Sequence, residues 1–145
     1  MISTSQSFSV AEVVAVGANT AFAFLADGMN QRFWALGSWD RREVGDGVFV
    51  GTSLLDGTEL YVRPIPNPAL LLVDFETGED RRSLAHEVEA RVVPGSTLGH
   101  PEETCLVVLT VFRRAAVADA GWEQTWHVFQ TEIQMIKGRL ERGFR

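Results

Sequence analysis

The stretch SLAHEVEARVV, residues 83–93, sets one imidazole into a two-residue alternation. Leu84, His86, Val88, Ala90 and Val92 fall on one side; Ala85, Glu87, Glu89, Arg91 and Val93 fall on the other. The second set carries the charges, so strand geometry predicts that His86 faces inward with the first set. An imidazole on an apolar face can hydrogen-bond a ligand oxygen or act as a general base. It can equally be a core histidine satisfied by a neighbouring hydroxyl or carbonyl. His86 is the one candidate catalytic residue, and the sequence identifies no other.

Other polar residues have weaker claims. Tyr61 shares a strand face with Glu59 and Arg63, a grouping suited to an anionic head group or to a solvated face with cross-strand partners. Asp74 and Glu76 lie two apart, as paired acid/base carboxylates would. Leu71, Val73 and Phe75 make the more apolar side of that strand, so the two acids are expected to point outward. Phe33, Trp34 and Trp39 cluster around Gly37 and are suited either to gating an apolar site or to pinning short helices. His86, His100 and His127 are far apart and no CxxC or HxxxH spacing occurs, so no metal and no cofactor is expected. GxGxxG after a strand, GxxxxGK[ST] and GxSxG are all missing. Cys105 lies in an apolar run and reads as a buried thiol.

The elements that must hold these residues follow from periodicity. A first strand spans SFSVAEVVAV and ends at Gly17. ANTAFAFLADG predicts a short helix capped by Asn19 or Thr20 and stopped by Gly28; MNQRFWALG predicts a second. From Ser38 the period becomes two, and six strands follow. Turns are expected at Gly45–Gly47, Asp56–Gly57, Pro64–Pro68, Gly78–Asp80 and Pro94–Pro101. GWEQTWHVFQTEIQMIKGRLER then repeats bulky apolar residues at steps of four and three: Trp122, Trp126, Phe129, Ile133, Ile136 and Leu140. That is one stripe on a long helix expected to begin near Val117–Gly121.

Strand, two short helices, six strands and one long helix form an α+β pattern in a single domain over residues 1–145. The chain of 145 residues and 16.0 kDa has a net charge of −6, and its longest Lys/Arg cluster is a pair, so no nucleic-acid partner is expected. No apolar run reaches 18 residues, so no membrane insertion is expected. The N-terminus lacks a signal-peptide pattern and there is one cysteine, so a reducing, cytoplasmic location is expected. The strand ETCLVVLTVFRR is apolar on both faces, which suggests that its outer face is covered by a partner such as a second copy in a homodimer.

VGANTAFAFLAD, RPIPNPALLLVDFE, ETCLVVLTVF and the closing Gly-Trp helix resemble segments of the START/Bet v 1-like (SRPBCC) superfamily, over essentially the whole chain. The nearest likeness is to bacterial Hsp90-ATPase-activator-like and polyketide-cyclase-like proteins. The resemblance implies a helix-grip fold: a seven-stranded antiparallel sheet wrapped around the C-terminal helix. It also implies an apolar or amphipathic ligand, lipid-like in character, held between the sheet and that helix. By that reading Trp122, Trp126 and Phe129 border the cavity, with Phe33, Trp34, Trp39, Tyr61, Phe75 and His86 as further ligand-binding residues, and Ile133, Ile136 and Leu140 pack solidly. Two alternatives stand beside simple binding. One is an enzyme of cyclase, dehydratase or hydrolase type acting on an aromatic or polyketide-like substrate. The other is an Hsp90-activator-like protein-interaction module.

Overall fold

A computed structural model describes residues 4–143 of the chain. The order is β1 (Ser7–Val14), α1 (Ala18–Ala26), a 3-10 segment (Gly28–Phe33), β2 (Trp39–Gly45), β3 (Val48–Thr52), β4 (Glu59–Asn67), β5 (Leu72–Gly78), β6 (Ala85–Pro94), a 3-10 turn (Gly95–Leu98), β7 (Cys105–Phe112) and α2 (Asp119–Arg142). The strands form one antiparallel sheet in the order β1-β7-β6-β5-β4-β3-β2, so consecutive strands from β2 onward are neighbours and β1 closes the far edge beside β7. The expected helix-grip architecture, including the start of the long helix, is what the chain adopts.

The stripe of α2 packs mainly on β1 and β7. Trp122, Ile133, Ile136 and Leu140 are buried, and the Phe8 ring meets Trp122, Trp126 and Phe129 at centroid distances of 4.9, 5.2 and 5.9 Å. In β7 the inward set Cys105, Val107, Leu109 and Val111 is buried, while Leu106 and Val108 on the outer side are half-buried. The helix is tied to β1 at its far end as well. Glu141 accepts the Ala15 N–H at 2.9 Å, and Lys137 Nζ donates to the Val13 carbonyl at 2.7 Å.

Three local expectations need correcting. Helix α1 is preceded by Gly17, which offers no side-chain cap, so neither Asn19 nor Thr20 caps it; it ends at Asp27, whose Oδ1 accepts the Met29 N–H and starts the 3-10 segment. Pro64 and Pro66 are not in a turn but inside β4, opposite Phe75 and Val73. Pairing with β3 stops at Val62, so beyond that point β4 has one neighbour only, the setting in which a strand tolerates proline. Finally, strand alternation breaks at three places, one of them beside the β2–β3 turn between Glu43 and Gly45, and the other two shape the site. Between Trp39 and Arg42, β2 spends three steps against two on β3, with Asp40 at φ 54°; in β6, His86 pairs with Glu76 but Val88 pairs with Phe75, so Glu87 is extra. Both are β-bulges, and each re-aims a charged side chain.

Gly51 of β3 lies under the loop that joins the 3-10 segment to β2. A Cβ there would sit 2.6 Å from the Ser38 Cα and 2.9 Å from the Gly37 carbonyl oxygen, both backbone atoms. Gly51→Ala is therefore expected to push that loop outward and lower the unfolding free energy by about 1–3 kcal/mol. Urea unfolding at neutral pH measures it; an unchanged midpoint would mean that the loop is not held against β3.

Candidate functional site

Between α2 and the concave face of the sheet lies a cavity of about 410 Å³. Its apolar wall includes Trp34, Val62, Phe75, Val88 and Phe129. Helical residues follow each other at about 100°, so Thr125, Val128 and Glu132 sit roughly 60–120° round the helix from Trp122. The stripe covers β1, and this flank walls the cavity.

Glu132 is the most unusual group here. It is 5% exposed, and its Oε2 accepts the Leu36 N–H at 2.9 Å. That bond links the middle of α2 to the loop before β2. Burial raises its pKa to about 8, against the smaller opposing effect of the Leu36 hydrogen bond. At neutral pH the group is mostly an uncharged carboxylic acid.

The two bulges bring further charge to the same cavity. In β2 the extra residue turns Arg41 inward, where it is buried and borders the cavity. Its Nε donates to the Gly28 carbonyl at 2.6 Å and its other nitrogen to Gln31 Oε1, so it ties the 3-10 segment to the sheet. Burial lowers its pKa to about 10, which leaves it charged at neutral pH. In β6 the bulge aims Glu87 alongside Val88 into the cavity. Burial pushes the Glu87 carboxyl up, and its ion pair with Arg114 offsets part of that. Arg114 also donates to the Thr77 carbonyl at 2.9 Å.

The same bulge corrects the placement of His86. With Glu87 inserted, alternation inverts below Val88, and His86 lies exposed on the outer face rather than inward. Its Nε2 is 3.0 Å from Asp74 Oδ1 and 3.8 Å from Glu89 Oε2, and its ring meets the edge of Phe112 at 5.6 Å. Asp74 Oδ1 is buried and takes no hydrogen bond from any described residue, so the His86 contact is one of charge and proximity rather than an aligned hydrogen bond. Asp74 and Glu89 are direct cross-strand partners, and a donor between them relieves their repulsion. Although sequence spacing offers no metal pattern, the fold gathers Asp74, His86 and Glu89 with ligand atoms within 4.8 Å.

Of the other residues singled out from sequence, Trp34, Phe75 and Phe129 border the cavity. Trp122 and Trp126 are not among the cavity's lining: Trp122 is buried and Trp126 half-buried, both against Phe8. Phe33 packs on Phe24 and carries the guanidinium groups of Arg32 and Arg139 at 4.8 and 4.9 Å, away from the cavity. Trp39 is 62% exposed on the edge strand. Tyr61 alternates with inward Val62 and so lies on the outer face with Arg63, which pairs with Glu76 at 3.1 Å. Cys105 is buried and His127 exposed, as their surroundings in the sequence suggest. Glu132, Arg41 and Glu87 were missed. Only Glu132 had a visible signal, an acid set among Val128, Phe129, Ile133 and Ile136.

Solved structures share this architecture. A START superfamily protein from Mycobacterium smegmatis superimposes with a TM-score of 0.70 at 11% identity, over 95% of this chain and 99% of that one. The Zhui aromatase/cyclase from Streptomyces sp. R1128 gives 0.67 at 18% identity, over 96% and 95%. The di-domain aromatase/cyclase StfQ from the steffimycin biosynthetic pathway gives 0.67 at 14%, over 93% of this chain and 45% of that one. The chain has the START-like helix-grip fold. No family model and no curated protein sequence matches it. No helix among the described residues is long and apolar enough to cross a membrane.

The raised Glu132 pKa makes stability depend on pH. The favourable protonated state is fully available below the ordinary value of 4.5 and is lost as pH rises through about 8. The wild type should therefore lose, relative to Glu132→Gln, on the order of a few kcal/mol between those limits. Urea unfolding of both proteins across that range checks this; parallel pH profiles would show that Glu132 titrates normally.

Proposed function

We propose that this chain binds an apolar or amphipathic small molecule in the cavity under α2. The observation that carries the reading is the cavity itself, about 410 Å³ between α2 and the sheet, with aromatic and aliphatic walls and a few buried polar groups. That combination characterises sites for small organic ligands, in which apolar area supplies affinity and isolated polar groups set orientation. The likeness in fold to a START superfamily protein and to aromatase/cyclases supports the same reading. The ligand-contacting residues in this proposal are Trp34, Phe75, Phe129 and Glu132, with Arg41 and Glu87 at the polar margins.

An enzyme of cyclase, dehydratase or hydrolase type is the second reading, and one observation favours it. Such chemistry needs at least two convergent polar groups, and Glu132 and the Glu87–Arg114 pair border one cavity. In that reading Glu132 is the acid, since His86 lies outside. Nothing of comparable kind favours a chaperone-activator role.

Thr125 stands half-buried on the cavity side of α2, so Thr125→Trp should fill the space with little cost to the fold. Affinity for an uncharged naphthalene dye, read by fluorescence, is expected to fall by at least about tenfold while the unfolding midpoint holds. Undiminished dye binding would place the ligand elsewhere.

A second copy is the proposed cover for the outer face of β1 and β7, where Ala11 and Val13 stand opposite Val108 and Leu106. Sedimentation velocity is expected to show a dimer that Leu106→Glu dissociates. A single species of monomer mass for the wild type would remove this proposal.

A further inference from the structure

We infer that Glu132 is a hydrogen-bond donor that selects ligands carrying an uncharged carbonyl, of the aryl ketone or quinone class, and that the cavity releases such ligands in mildly alkaline solution. The inference rests on the small-molecule reading above and adds the chemistry of the polar tip.

Glu132 lies in the cavity wall and has two oxygens to satisfy. Oε2 accepts the Leu36 N–H, so it is the carbonyl-type oxygen of the acid. Oε1 takes no hydrogen bond from any described residue, and the proton of a neutral carboxyl belongs on this second oxygen. The Oε1 side of the carboxyl is the side left for the cavity, and a ligand acceptor placed there would take the O–H bond.

The surrounding charges leave Glu132 without a counter-ion. Arg41, from β2, is bound to the Gly28 carbonyl and to Gln31. Arg114, beyond β7, pairs with Glu87 of β6. Glu79, beyond β5, borders the same cavity but is exposed to solvent. Among the described residues no cation pairs with Glu132, and burial keeps it protonated up to about pH 8. A ligand carboxylate would have to shed its hydration to enter the cavity, a cost that a neutral carbonyl largely avoids, and above about pH 8 it would also meet a like charge at Glu132. Trp34 and Phe75, packed edge-to-face at 6.0 Å, give this part of the wall aromatic character.

The test uses three dyes on the full chain, at about pH 6.5 and about pH 9.5, on either side of the Glu132 value of about 8. They are 6-propionyl-2-(dimethylamino)naphthalene, its carbonyl-free parent 2-(dimethylamino)naphthalene, and the amine 1-naphthylmethylamine. The ketone dye should bind about tenfold more tightly at the lower pH, with the emission shift of a hydrogen-bonded carbonyl. The parent should bind equally at both. In Glu132→Gln the side-chain amide still donates but does not titrate, so ketone binding should persist and lose its pH dependence. If the ketone dye binds with the same affinity at both pH values, or the amine binds more tightly at the higher pH while the ketone is indifferent, Glu132 is not a carbonyl donor and the inference is overturned. If neither the ketone nor its parent binds at all, the small-molecule reading falls and takes the inference with it. The wild-type pH comparison decides the matter even if Glu132→Gln does not fold.

Discussion

One helix is narrower than seven strands. An α-helix with its side chains is about 10 Å across, whereas seven strands spaced about 4.8 Å apart span about 29 Å. A sheet of this width can bury its inner face under one long helix only by curling around it, with α1 and the 3-10 segment covering part of what α2 leaves. Contact is then close on one side and open on the other. Here the close side is β1 and β7, where Phe8 locks into Trp122, Trp126 and Phe129. The open side, toward β3 through β6, is where the cavity lies. On this view the chamber is a geometric consequence of the fold rather than a defect in its packing.

The devices that bend the sheet also furnish the chamber. Each bulge adds one residue to a strand and, in doing so, reverses which side chains face inward. At β2 this brings in Arg41, which fastens the 3-10 segment; at β6 it brings in Glu87 and expels His86. The loop between the 3-10 segment and β2 is then pinned from two directions, by its close approach to Gly51 and by the Leu36 hydrogen bond to Glu132. A group that helps close the chamber is thus also the polar group in its wall. A cavity ligand that engaged Glu132 would act directly on the contact that joins α2 to this loop.

The architecture was readable because it rests on periodicity. Alternation over six segments marks the strands, and the steps of four and three from Trp122 to Leu140 mark the long helix. What periodicity conveys is which residues share a face, not which element covers that face. The aromatic stripe accordingly announced burial, but its partner proved to be β1, and the cavity lies on the flank that carries Thr125 and Glu132. The polar site was harder to read because one inserted residue leaves no compositional mark. Asp40 adopts its positive φ without a glycine to betray it, and nothing in AHEVEA distinguishes a regular strand from one in which Glu87 is extra. Pro64 and Pro66 misled in the opposite sense, since proline suits an unpaired strand edge as well as a turn.

The account turns on Glu132 being an uncharged acid in the wall of a chamber, and carbon-13 NMR of its side-chain carboxyl reads that state directly. With glutamate labelled at the δ carbon and Glu132→Gln used for assignment, the Glu132 resonance should titrate with a midpoint near 8. Its titration should also move when a dye occupies the cavity. A Glu132 midpoint close to the ordinary value of 4.5 would contradict the account, because the carboxylate would then be hydrated and the chamber open to water at that wall.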